Sequence, residues 1–210
     1  MKIADISVVA FALAALSLLG LSQPARADAA LFTNQASFLS AIASAPKAVV
    51  TFDGIAPGSP RYFVEAGKRE FSLDGLTFID EGYGPYMDIT DPGQYGDSGY
   101  DYGTDDTLGV YSQGGPNAPL TVRLPANVNA VGFDLGDFKG DMFTVHLSTG
   151  ESFIVKAGIP GGRFKSESRN RGFYFYGFIS TSPITSLTIV PPADTRGSSY
   201  DNFIVARVPV

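Results

Sequence analysis

The chain has 210 residues, with 21 Asp and Glu against 15 Lys and Arg, one His and no Cys, for a formal net charge of −6 at neutral pH. That balance excludes nucleic acid as a natural partner, because neutralising phosphates needs Lys and Arg, and it disfavours anionic membrane surfaces. Without cysteine no disulfide can staple the fold, so cohesion has to come from a buried core or a bound metal.

Lys2, an apolar run from Ile3 to Leu21 and the small-residue site Ala25-Arg26-Ala27 follow the order of a secretory signal peptide. The run is long enough to make a retained membrane helix the alternative. Asp5 near its start and the site after Pro24 favour removal. Residues 1–27 therefore read as a leader and 28–210 as a single domain, secreted or at the cell surface. Loss of the leader takes away Lys2, Arg26 and Asp5 and leaves the remainder more acidic still. No second apolar stretch long enough to span a membrane follows Leu21.

A short helix is predicted to open the domain, with Phe38, Leu39 and Ile42 at helical spacing behind a Thr33 or Asn34 cap. Strands are predicted at Ala48–Phe52, Leu76–Ile79, Leu108–Tyr111, Leu120–Leu124, Ala130–Leu135, Phe143–Leu147, Ser152–Val155, Phe173–Ile179, Ser186–Val190 and Tyr200–Val205. Each is a short run rich in β-branched or aromatic residues, and Gly, Pro, Asn or Asp punctuates most gaps. In the Ala130 run Val131, Phe133 and Leu135 alternate with Gly132 and Asp134, which assigns the two sets to opposite faces. Leu147-Ser148-Thr149-Gly150-Glu151-Ser152 carries hairpin turn chemistry. The stretch from Glu81 to Asp106 reads as irregular and too long for a plain connection. This rhythm predicts an all-β, two-sheet sandwich with a short N-terminal helix.

The segments Val50-Thr51-Phe52-Asp53-Gly54, Val131-Gly132-Phe133-Asp134-Leu135, Tyr176-Gly177-Phe178-Ile179-Ser180, Ile184-Thr185-Ser186-Leu187-Thr188-Ile189 and Tyr200-Asp201-Asn202-Phe203 occur in that order behind the Phe38-Leu39 helix. Together they resemble exported bacterial proteins of the PEP-CTERM, exosortase-associated type. The resemblance implies a jelly-roll-like body. The chain departs from that pattern at its end, where Arg207-Val208-Pro209-Val210 stands in place of a C-terminal sorting tail. Jelly-roll carbohydrate-binding modules often hold a structural calcium between first and last strands, and by that resemblance Asp53 and Asp201 are carried over as ligands. Turn capping is the alternative role for each, since Asp53-Gly54 is ordinary turn chemistry.

Between Glu70 and Val122 there is no Lys or Arg, while Asp80, Glu81, Asp88, Asp91, Asp97, Asp101, Asp105 and Asp106 crowd together. Uncompensated carboxylates repel, and a hard cation relieves that repulsion. Calcium is thus a candidate cofactor at Asp97, Asp101, Asp105 and Asp106, although their spacing is not that of an EF-hand; a solvated acidic loop is the alternative. Tyr83, Tyr86, Tyr95, Tyr100, Tyr102 and Tyr111 share this region. Aromatic faces stack on sugars while carboxylates take hydroxyls, so Tyr83, Tyr86, Tyr95, Tyr100 and Tyr102 are candidate ligand-binding residues, with loop anchoring as their alternative role. Lys156, Arg163, Lys165, Arg169 and Arg171 form a complementary basic segment. It suits an acidic polysaccharide or the acidic stretch of another copy, with a solvated loop as the alternative.

Catalytic motifs are sparse. Gly96-Asp97-Ser98-Gly99 echoes a protease nucleophile loop but has no His before it, and His146 sits in strand context. Asp134, Asp137 and Asp141 cluster in sequence and are the candidates for glycoside hydrolysis, which needs two carboxyls flanking a cleft; alternating outward Asp residues on a strand and turn are the alternative. The sequence thus points to an exported, non-catalytic envelope or matrix protein that binds polysaccharide or exopolysaccharide with calcium support. The alternatives are a carbohydrate-active hydrolase and a self-associating structural protein.

Overall fold

A computed structural model describes residues 28–53, 70–81, 86–90, 107–111, 119–137, 141–158, 173–195 and 197–209. Among them thirteen strands and one helix form in chain order: β1 Ala29–Phe32, α1 Gln35–Ala41, β2 Lys47–Val50, β3 Glu70–Leu73, β4 Leu76–Asp80, β5 Tyr86–Thr90 and β6 Thr107–Tyr111, then β7 Leu120–Arg123, β8 Ala130–Asp137, β9 Met142–Leu147, β10 Ser152–Lys156, β11 Tyr174–Ser180, β12 Ser186–Val190 and β13 Gly197–Ala206. All ten predicted strands are present, with ends shifted by a few residues.

Two antiparallel sheets face each other as a jelly-roll-like sandwich. Sheet A runs β1-β11-β8-β13-β6-β5, with β2 pairing the far half of β13, and sheet B runs β10-β9-β12-β7-β4-β3. Among the described strands only β1–β2, β3–β4, β5–β6 and β9–β10 follow one another within one sheet and every other step switches sheets, so the fold depends on pairings between distant segments. Inward residues of both layers form one core in which phenylalanines run from sheet to sheet. Phe133 stacks on Phe203 at 5.4 Å between ring centroids, Phe78 meets Phe203 edge-on at 5.1 Å, and Phe153 reaches Phe178 at 5.0 Å. Tyr176 of β11 adds a polar tie between sheets: its hydroxyl accepts from the Lys156 N–H at 3.0 Å and donates to the Lys156 carbonyl at 2.6 Å.

Three strands escape the sequence reading. The domain opens on β1 rather than on the helix, because Ala29–Phe32 is held by pairing with β11, a long-range contact that a four-residue run does not announce. β3 joins β4 through Asp74-Gly75, both at positive φ (48° and 86°), a dipeptide that matches the demands of a two-residue hairpin turn. β5 corrects the irregular assignment of Glu81–Asp106, since Tyr86–Thr90 pairs with β6. The predicted β9–β10 hairpin forms, with Gly150 at φ 102° and the Leu147 N–H donating to the Glu151 carbonyl.

The helix is capped by Asn34, whose side chain accepts from the Ser37 N–H at 3.0 Å. It packs on the outer face of sheet A and builds a second, smaller core from Phe38, Ile42, Ala130, Phe175 and Ile204. Its seat is made by absence. Gly132 of β8 and Gly177 of β11 are register partners; the ring of Phe38 fills the space left at Gly177, and Phe175 together with Phe38 fills that at Gly132.

Candidate functional site

β13 would turn its own core residues outward if it alternated strictly. Tyr200 faces the core, so Phe203, three residues on, would face solvent. The register shift between Asp201 and Ile204 on β8 inserts one extra residue, and both Tyr200 and Phe203 are fully buried. Asn202 occupies the bulge at φ 50°, a left-handed conformation that Asn tolerates better than most residues.

The bulge organises a polar row on the outer face of sheet A. Asp201 of β13 and Asp134 of β8 are register partners. The Asn202 side-chain N–H₂ donates to Asp134 Oδ2 at 2.9 Å and to Asp201 Oδ2 at 3.2 Å, while its backbone N–H donates to Asp201 Oδ1 at 2.7 Å. One amide thereby holds two carboxylates that would otherwise repel. Burial raises the Asp134 carboxyl above the usual Asp range, and the Asn202 hydrogen bond opposes that rise. On the β11 side the row is walled by Phe175, the register partner of Asp134, which is itself buried against Phe38 of the helix. On the other side β13 pairs with β6 and β6 with β5, so the register runs Asp88–Gly109–Ser199–Gly136 across four strands.

The predicted site residues are placed unevenly. Tyr86 and Tyr111 become register partners on β5 and β6, at the edge of the sheet that carries the row. Tyr83, Tyr95, Tyr100, Tyr102, Asp97, Asp101, Asp105 and Asp106 lie outside the described residues, as do Arg163, Lys165, Arg169 and Arg171. Asp53 stands in a turn after β2, the strand that pairs β13 beyond the bulge, whereas the carboxylate in register with Asp201 is Asp134. Among the described residues no three His, Cys, Asp or Glu converge as a metal site. Calcium takes roughly six to eight oxygens, and the facing oxygens of Asp134 and Asp201 are already bridged by a donor, so this trio does not fit a resident calcium.

The backbones of Asp134, Asp137 and Asp141 stand at different places in the fold. Asp134 lies on the outer face of sheet A, Asp137 ends β8 opposite Ser198, and Asp141 precedes β9 in sheet B, where Oδ2 accepts from Thr195 at 2.9 Å. His146 is exposed on β9 and pairs with Ser152 Oγ at 2.7 Å across the strands, a surface contact rather than a buried base. Asn202 was not among the predicted site residues. Its signal was the Asp201-Asn202 dipeptide inside an otherwise apolar strand, a combination that belongs at a bulge or turn.

The chain matches no family model and no curated protein. Among solved structures it is similar to the K1 cleaved adhesin domain of Lys-gingipain from Porphyromonas gingivalis W83, at 11% identity and a TM-score of 0.43 over 78% of this chain and 99% of that one. It is also similar to TmCBM61, solved with beta-1,4-galactotriose, at 12% identity and a TM-score of 0.34 over 68% of this chain and 92% of that one. The exo-beta-1,3-galactanase of Phanerochaete chrysosporium, solved with galactose, gives 17% identity and a TM-score of 0.30 over 64% of this chain and 30% of that one. Likeness at this level carries no argument about ligand or reaction.

Proposed function

We propose that this chain is an exported, non-catalytic polysaccharide-binding protein of the cell envelope or extracellular matrix, and that sugar sits on the outer face of sheet A at the β13 bulge. The observation that supports this reading is the Asp134–Asn202–Asp201 row. Among the described residues Asp134 Oδ1 and Asn202 Oδ1 take no hydrogen bond, which leaves an acceptor on each of two side chains that are themselves hydrogen-bonded to one another. Sugar hydroxyls are donors of matching chemistry, and hydrogen bonds to a carboxylate are the stronger kind. The row stands on strands, which hold such acceptors more rigidly than loops do. Export rests on the leader and on the resemblance to exosortase-associated proteins, both read from sequence.

Affinity electrophoresis through a panel of neutral polysaccharides tests this. Wild type is retarded by at least one polymer, and Asn202→Ala weakens that retardation by up to about tenfold, since the lost amide acceptor contributes roughly 0.5–1.5 kcal/mol. Equal retardation of the two proteins would sink the assignment of the site. Calcium enters through Asp97, Asp101, Asp105 and Asp106, whose oxygens suit a hard cation. A cation bound only by the folded chain raises its melting temperature, so an unchanged melt with calcium and with chelator removes calcium from the proposal.

One observation favours a second, hydrolytic reading: the raised Asp134 carboxyl has the character of a general acid, and Asp201 stands beside it. Release of reducing ends that disappears in both Asp134→Asn and Asp201→Asn would establish it in place of simple binding.

A further inference from the structure

The outer face of sheet B is described across all six strands, and it differs in chemistry from the sheet A face. One register row crosses every strand, Glu70–Ile79–Thr121–Thr188–His146–Ser152. Hydroxyls dominate it and the neighbouring row on the Arg123 side: Thr121 and Thr188 hydrogen-bond at 2.8 Å, Ser72 and Thr77 at 3.0 Å. The charges around the row are inverted relative to the chain as a whole, which carries −6. Arg123 of β7 flanks it on one side with 63% of its side chain exposed; on the other side comes the row Val190–Thr144–Ile154, and Lys156 stands exposed beyond that row at the end of β10. The single carboxylate on these strands' outer face is Glu70, which Arg123 approaches only loosely, at 3.9 Å.

We infer that this face is a second polysaccharide site, separate from the one on sheet A, and that its ligand is an acidic polymer such as a polyuronate. Two features select that occupant. Six strands about 4.8 Å apart and some five residues long present roughly 24 by 17 Å, or about 400 Å², which is half of the roughly 800 Å² each partner gives to a standard protein interface. A second copy of this chain is thus poorly matched to the face in area. A second copy is also acidic only in part, whereas a polyuronate offers regular carboxylates to Arg123 and Lys156 and hydroxyls to the threonine row. The long axis of the row suits an extended strand of sugars lying across the sheet. Because the two outer faces lie on opposite sides of the sandwich, one molecule holds a neutral and an acidic polymer together and cross-links them.

Affinity electrophoresis in polygalacturonate tests the inference on the full chain, with hydroxyethylcellulose as the neutral control. Wild type is retarded by polygalacturonate in a salt-sensitive manner. Thr188→Glu, and separately Arg123→Gln with Lys156→Gln, weaken that retardation at least tenfold at unchanged melting temperature. Asn202→Ala leaves it intact, which separates this face from the sheet A site whatever the fate of the latter. Absence of retardation in wild type, retention within twofold in both sheet B variants, or a concentration-dependent dimer abolished by Thr188→Glu would each overturn it.

Discussion

Gly177→Ala probes how the helix is held on sheet A. Gly177 is outside the left-handed region, so alanine meets no backbone obstacle there. The added methyl would stand 2.8 Å from Phe38 Cγ and 2.9 Å from Cε2, closer than atoms of this kind approach. The ring has no room to retreat, being fully buried with Phe32 and Phe175 at 5.8 and 5.4 Å. Overpacking of this kind costs about 1–3 kcal/mol, and the reduced freedom of the unfolded chain returns about 0.4–1 kcal/mol. A net loss of about 1–1.5 kcal/mol lowers the melting temperature by roughly 2–6 °C in a domain of this size. The decisive comparison is the same substitution in a Phe38→Ala background. Phe38→Ala alone costs about 3–5 kcal/mol, but there the new methyl enters vacated space, and Gly177→Ala becomes neutral or stabilising. Urea unfolding of the two single variants and the double variant measures this. If Gly177→Ala costs the same with and without Phe38, the ring does not fill the glycine seat and the reasoning fails.

Three further outcomes follow from the same geometry. Asn129 is buried, and its side chain donates to the Val208 and Ser180 carbonyls at 3.0 and 3.3 Å and accepts from the Val208 N–H at 2.7 Å; Asn129→Ala strands these groups and lowers unfolding stability by about 1–3 kcal/mol in urea titration. Asp134→Asn keeps an acceptor for Asn202 but removes a charge that burial disfavours. A carboxyl raised by folding binds its proton more tightly in the folded state, so wild-type stability from this group rises as pH falls through the folded value. The variant therefore melts above wild type at neutral pH and the gap closes on acidification; a gap constant with pH contradicts the assignment. Asn202→Gly keeps the left-handed bulge and Asn202→Ala strains it by about 1–2 kcal/mol, so both variants are destabilised by loss of the bridge between Asp134 and Asp201 and the alanine variant melts below the glycine variant.

The sequence by itself determined what is local. The Asn34 cap and the Phe38–Ile42 spacing specify the helix, and two-residue alternation places Val131, Phe133 and Leu135 in the core, because such signals act within one turn or one pleat. It did not reveal β1 or β5, short runs that become strands only by pairing with β11 and β6. Nor did it reveal that Asp134 faces Asp201 rather than Asp137 or Asp141, since the partners are 67 residues apart and only the register of β13 on β8 aligns them. The bulge belongs to tertiary structure as well: Asn202 leaves strict alternation because Tyr200 and Phe203 must both be buried, a demand set by the opposite sheet. Likewise Gly132 and Gly177 are unremarkable residues until two strands bring them side by side and a helix from far upstream lowers Phe38 into the gap. Register carries no local signature, so where the acceptors and the seat meet was decided by packing alone.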